Sequence, residues 1–180
     1  MNTALFFQIF NLSHKNVFVD GLMVFGAEYL IYLVFFLLIT TAVLGKAQEK
    51  RIALLTAVSL FISLLLIQII RVFVYQPRPF VTHPIYPLIK NTADNCFPSI
   101  HTTIMSVIAT SSLLFKSKLT PFFVICLIWS GFSRIFVGVH YPQDILGGVL
   151  VGIFSTFLIF TAKDWLSQKI SKWSDKILSF

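Results

Sequence analysis

Three arginines, two histidines and an aspartate recur at spacings suited to handling a phosphate group. Arg71 is followed, after six residues, by Arg78-Pro79; Pro98-Ser99-Ile100-His101 comes next; five residues separate Ser133-Arg134 from His140, and Asp144 lies four beyond it. Arginine presents a rigid fork of donors matched to phosphate oxygens, and three of them can neutralise a diphosphate without a metal ion. A helix starting near Pro98 would add free backbone N–H groups and a positive dipole end, with proline suited to its first turn. A neutral imidazole can attack phosphorus when its other nitrogen is held by an acceptor. On a helix, the four-residue step from His140 to Asp144 brings a carboxylate to the ring. His101 could then protonate the leaving oxygen, provided anionic surroundings keep it charged. Cations dominate this set and carboxylates are few, so no metal and no other cofactor is expected.

Such a set is useful only if the chain brings it together, and the rest of the sequence says how. Of 180 residues, 57% are apolar and only 12% charged, with twenty phenylalanines; the mean hydropathy is +0.86. A disordered or coiled-coil chain is excluded. The net charge of +7 comes from scattered Lys and Arg without a basic stripe, so no nucleic-acid partner is expected. Two cysteines make no disulfide framework. This is the composition of an integral membrane protein.

Uncharged stretches suggest five spans: Tyr29 to Gly45, Ile52 to Ile70, Thr102 to Phe115 (extendable back through Ser99), Leu119 to Ser133 (extendable to Val139) and Ile145 to Ala162. In lipid these must be helices, each of about 20 residues with tolerance for tilt. The expected fold is therefore an all-α polytopic bundle of five transmembrane helices, a single domain over 1–180 with interfacial helices at its termini. Residues 3–26 read as an interfacial lead-in to the first span, with a sixth crossing there left open. No basic region precedes Ala4 to Leu12, so a cleaved signal peptide is not expected. At 163–180, Leu166, Ile170, Trp173 and Ile177 keep helical spacing with lysines on the other faces, the pattern of a cytoplasmic amphipathic tail anchored by Trp165 and Trp173.

Lys and Arg divide nine to five between the two sides: Lys46, Lys50, Arg51, Lys116, Lys118 and four tail lysines against Lys15, Arg71, Arg78, Lys90 and Arg134. The first side is then cytoplasmic and the phosphate-handling set faces out. All four histidines share that outer side. The longest connection, Arg71 to Pro98, is of a length that is usually functional. Within it Lys90 and Asp94 could touch a diphosphate from the loop, with solvated loop positions as the favoured reading. Glu28, at the edge of span one, either helps to orient a guanidinium of the Arg cluster, the favoured supporting role, or marks the water boundary. Gly148 and Gly152 read as close packing inside the bundle, which leaves the oligomeric state open; Cys126 reads as packing, and His14 and His83 as loop residues.

Taken together, Arg71-x6-Arg78-Pro79, Pro98-Ser99-x-His101 and Ser133-Arg134-x5-His140-x3-Asp144 resemble the three-part signature of the type 2 phosphatidic acid phosphatase superfamily. The resemblance covers residues 71–144 by motif and most of the chain by span layout. It implies a metal-free helical bundle working through a phosphohistidine, with His140 as nucleophile, Asp144 as its orienting acceptor and His101 as general acid. Arg71, Arg78, Ser99 and Arg134 would bind the phosphoryl group, with Pro98 in support. Two positions depart from the pattern: Arg71 stands where Lys is commoner, and Ile100 where a small or acidic residue is usual. Ile100 is expected to tune access rather than abolish activity.

The short chain, with Val19 to Phe25, Glu28-Tyr29, Arg78 to Val81 and Gly131 to Pro142, is most similar to bacterial undecaprenyl-diphosphate phosphatases of the bacitracin-resistance type. That implies a prenyl diphosphate lipid as partner, recycling of the cell-wall lipid carrier, bacitracin resistance, and a multi-pass place in the bacterial inner membrane with the site outside. Phosphatidylglycerophosphate, phosphatidic acid or a lipid A phosphate are the alternative substrates. A non-catalytic lipid-phosphate binder or transporter is the competing class, and it would not need the His140–Asp144 pair.

Overall fold

The computed structural model describes the backbone of residues 2–178 and the side chains of residues 2–162. The described chain is helical throughout, with elements α1 (Asn2–Phe10), α2 (Val17–Val24), a π-helical turn (Phe25–Tyr29), α3 (Leu30–Leu44), α4 (Ala47–Phe73), α5 (Pro79–Thr82), α6 (Ile100–Leu114), α7 (Thr120–Phe136) and α8 (Pro142–Leu178). It is a polytopic helical membrane protein.

The first span is longer than its charges suggest. α2, the π turn and α3 run on as one apolar helix, Val17–Leu44, so residues 17–26 belong to the span rather than to an interfacial lead-in. Glu28 does not mark a water boundary; it sits inside the helix and faces a polar cavity within the bundle. A charge ends a span only when it points at lipid or solvent, and this one points inward. The sixth crossing is not formed: α1 has nine residues, about 14 Å of helix at 1.5 Å per residue, too short for a 30 Å core. It packs instead on the site end of the bundle, where Phe6 is fully buried against the ring of Tyr141, centroids 5.2 Å apart.

Among the described residues, three helices are long and apolar enough to cross a membrane: Val17–Leu44, Ala47–Phe73 and the Pro142–Ala162 part of α8. The other two expected spans, α6 and α7, form apolar helices of 15 and 17 residues. α6 is the central element, packed on α4, α7 and α8, with Thr102, Thr103, Ser106, Ser111 and Ser112 all buried. Enclosed by its neighbours, it has little lipid face to match to the bilayer thickness. The side chains of the expected amphipathic tail at 163–180 lie outside the described residues.

Successive spans alternate in direction. The end of α4, the start of α6, the end of α7 and the start of α8 therefore meet at one end of the bundle, joined by the connection from Val74 to Ser99 that contains only the single turn of α5. The interior below is apolar: Leu30, Ile31, Val34, Met105, Ile108, Phe123 and Cys126 form one buried cluster, which confirms Cys126 as packing.

Gly148 and Gly152 set the distance between α8 and α6. A Cβ on Gly148 would lie 2.8 Å from the Ser99 carbonyl oxygen, and one on Gly152 would lie 2.6 Å from Ser106 Cβ. The pair serves packing within the bundle. Gly152→Val should therefore force the helices apart at a cost of about 1–3 kcal/mol, lowering Tm in detergent by roughly 5 °C. The lipid-facing control Leu150→Val, at a position 66% exposed, should leave Tm unchanged. Equal Tm for both variants would refute the close-contact role.

Candidate active site

His140 follows α7 after Gly138, whose φ of +87° suits a residue without Cβ. The turn it begins is held from several sides. Asp144 Oδ2 accepts from the Tyr141 backbone N–H at 2.7 Å and lies 3.3 Å from His140 Nδ1. Tyr141 OH bonds Thr82 Oγ1 at 2.7 Å. The Ser99 N–H donates to the Asp144 carbonyl at 3.1 Å, tying the start of α6 to the start of α8.

The other ring nitrogen, Nε2, lies 3.4 Å from Arg78 Nη1 and 3.3 Å from Arg134 Nη2. A guanidinium can only donate. Nε2 must then carry the lone pair, and the ring proton sits on Nδ1, aimed at Asp144. This places a neutral imidazole with its lone pair toward two fixed cations. Burial first, then the charges of Arg134 and Arg78, hold His140 well below the usual imidazole range.

Both arginines are buried and pinned by carbonyls. Arg78 Nη1 donates to Val139 O at 3.1 Å, and Arg134 Nη1 to Ala27 O at 3.2 Å. Ala27 belongs to the π turn, a distortion common at functional sites. Arg71, in the last turn of α4, keeps a buried Nε without a partner.

A cavity of about 500 Å³ opens beside these groups, lined by Glu28, Tyr29, Tyr32, Arg71, Arg78, Lys90, Asn91, Asp94, Ile100, His101, Arg134 and His140. Of the residues singled out in the sequence, His101, His140, all three arginines and Glu28 line it. Asp144, fully buried, stands behind His140. Ser99 and Pro98 are also buried and do not line the cavity. The Ser99 hydroxyl accepts from Thr102 Oγ1 at 3.2 Å, so its local role is at the junction beneath the pocket floor.

Sequence reasoning missed the partner of Arg78. Asp94 Oδ1 lies 2.8 Å from Arg78 Nε and 2.7 Å from Nη2, a fork held by a carboxylate on the long connection. Burial pushes the Asp94 carboxyl up, but the hydrogen bond and charge of Arg78 outweigh it and leave the group below its usual value. The available signal was the opposite charge of two residues in one loop. The long connection's His83 packs against Phe7 and Tyr141, and His14 bonds the Tyr86 carbonyl at 3.0 Å; both are loop residues, as expected.

Cys96, His140 and Asp144 have potential metal-ligand atoms within 4.8 Å of one another. They fit a divalent ion poorly. Burial raises the Cys96 thiol, keeping it protonated where a ligand must be a thiolate, and two guanidiniums face His140.

The PAP2 superfamily pattern matches residues 52–168, and the chain belongs to that superfamily. It is an enzyme of the membrane phosphatase class. It is 37% identical to undecaprenyl-diphosphatase BcrC of Bacillus subtilis over 166 residues, covering 92% of this chain and 86% of the relative. An undecaprenyl-diphosphatase of Sulfolobus acidocaldarius is 30% identical over 159 residues, covering 84% and 75%. Among solved structures, Aquifex aeolicus LpxE superposes with a TM-score of 0.72 at 26% identity, covering 89% of this chain and 94% of that one.

The charge arrangement predicts the protonation state of His140. With its native pKa below the unfolded value near 6.5, the unfolded chain binds this proton more readily, so the His140 contribution to stability falls as pH drops below about 6.5. Imidazole ¹⁵N NMR of detergent-solubilised protein should show His140 at pH 7 as the neutral Nδ1–H tautomer. A His140 imidazolium at pH 7 would contradict the assignment.

Proposed function

We propose that this chain hydrolyses undecaprenyl diphosphate to undecaprenyl phosphate and inorganic phosphate, without a metal ion, through a phosphohistidine on His140. The observation that carries the reading is the pairing at His140: Nδ1 toward Asp144 and Nε2 toward Arg78 and Arg134. A passive lipid-phosphate binder has no use for an imidazole held in one tautomer by a buried carboxylate. The relatives' names supply the substrate, and the cationic cavity supports a polyanionic headgroup.

In the first step the Nε2 lone pair forms a bond to the terminal phosphorus, and the bond from that phosphorus to the bridging oxygen breaks. The imidazole becomes cationic, and Asp144 balances it through the Nδ1 proton. Arg71, Arg78 and Arg134 take the charge growing on the equatorial oxygens. His101 gives a proton to the departing bridging oxygen, releasing undecaprenyl phosphate. Because the protein groups around His101 are mainly cations, the anionic surroundings it needs must be supplied by the bound diphosphate; the expected acid is charged by its own substrate. In the second step water attacks the phosphohistidine and passes a proton to His101. Inorganic phosphate leaves and Nε2 regains its lone pair.

The whole chain, 1–180, acts as one membrane-embedded domain in this reading. It sits in the inner membrane of a bacterial cell with the site on the extracytoplasmic side, as the nine-to-five lysine and arginine bias supports. Turnover there recycles the carrier lipid and confers bacitracin resistance.

The test is phosphate release by purified protein from undecaprenyl diphosphate in excess EDTA, beside phosphatidic acid, phosphatidylglycerophosphate and lipid A. Release is expected from the prenyl diphosphate, unaffected by EDTA and inhibited by vanadate. His140→Ala should lower it by on the order of 10³-fold or more, the scale seen when a nucleophile is removed. Release that requires a divalent ion, or that persists in His140→Ala, would overturn the mechanism; preference for another lipid would overturn the substrate.

A further inference from the structure

Lys90 stands on the rim of the catalytic cavity, and the mechanism above does not use it. Its surroundings show that it is placed there by the fold. The residue before it, Ile89, is buried in a cluster with Ala27, Phe136, Val137 and Val139. The Leu88 N–H donates to the Val137 carbonyl at 3.0 Å, so the chain entering Lys90 is stapled to the end of α7. The chain leaving the segment is fixed as well, by the Asp94 pair with Arg78 and by Asn95, whose side chain bonds Val74 O at 2.6 Å and the Gln76 N–H at 3.0 Å. Lys90 to Asp94 is thus a short strap between two anchors, forming one wall of the cavity.

The charge of that wall is unspent. Lys90 forms no ion pair among the described residues. Arg78 is committed to Asp94 and, with Arg134, to the nucleophile's side of the cavity. Four cations (Arg71, Arg78, Arg134 and Lys90) and two carboxylates (Glu28 and Asp94) line the cavity, leaving a net positive charge of two for the ligand. Its volume of about 500 Å³ is far larger than one phosphoryl group needs. Lysine is a compact charge on a flexible stem, suited to a group that moves away.

We infer that Lys90, held on the strap between Ile89 and Asp94, binds the second phosphate of a diphosphate substrate, the one that leaves with the lipid, and so sets the preference for diphosphates over monophosphates. The inference rests on the reading of the site given under Proposed function. The arginines and His140 handle the phosphoryl group in transfer, while the Lys90 ammonium neutralises the phosphate to which the bridging oxygen stays attached. A monophosphate has nothing at that position, and Lys90 is idle when one binds.

The experiment compares kcat/KM for a short-chain prenyl diphosphate and the monophosphate of the same prenyl alcohol, in wild type, Lys90→Gln and Lys90→Arg. Lys90→Gln should lower the diphosphate value about tenfold and change the monophosphate value less than twofold, with Lys90→Arg retaining most of the diphosphate activity. Inhibition gives a second readout. Inorganic diphosphate should inhibit wild type more tightly than phosphate, and in Lys90→Gln the two constants should converge. Lys90 is exposed, so an unchanged Tm will show that the variants are folded. Equal losses on both substrates, or no loss on either, would overturn the role of Lys90. A wild type that cleaves the monophosphate and not the diphosphate would instead overturn the diphosphate reading beneath it.

Discussion

Two buried guanidiniums directed at one buried imidazole nitrogen are the constraint around which this molecule is arranged. Like charges of this kind repel, and their burial costs several kcal/mol per ion unless hydrogen bonds offset it. The offsets can be named. Val139 and Ala27 give carbonyls, Asp94 gives a carboxylate, and His140 remains neutral, so that it adds a lone pair rather than a third charge. The protein offsets this charge only in part: Arg71, Arg78, Arg134 and Lys90 line the cavity against Glu28 and Asp94, an excess of positive charge that favours an anionic ligand.

The fold can be read as the means of meeting that cost. A π turn within an otherwise regular span puts the Ala27 carbonyl where Arg134 reaches it. The connection after α4 folds back so that Asp94 meets Arg78, sixteen residues away in sequence. α1, too short to span, lies over the catalytic turn and buries Phe6 on Tyr141, while Tyr141 is tethered to Thr82 by its hydroxyl. Each of these devices holds a polar group at a fixed distance from His140, and none of them touches the reacting atoms.

The candidate site was legible because ionisable residues are rare in so apolar a chain, and those that interrupt it at span ends stand out. His101, His140, Asp144 and the three arginines meet where their spacing indicated. The start of the first span is less legible for the same reason. The charge of Glu28 ends an uncharged stretch, yet the residue faces the cavity from inside a continuous helix. α6 reads as an ordinary span, yet it is short and enclosed by α4, α7 and α8. Ser99 illustrates another limit: the motif identifies the residue, and only the packing shows that its hydroxyl is turned to Thr102. The Arg78–Asp94 pair depends on how the long connection folds, which no local pattern encodes.

The hydrogen bond from the Ser99 amide to the Asp144 carbonyl has a mechanical meaning. It joins the helix that carries His101 to the helix that begins just after His140, at the point where Gly148 lets the two backbones nearly touch. Helices in a bilayer tilt as its thickness changes, and such tilts would alter the separation of His101 and His140 if each rode its own helix freely. Pinned at this end, α6 and α8 would pivot together about the junction, with the larger excursions at their far ends. The two imidazoles would then keep their spacing in membranes of differing thickness.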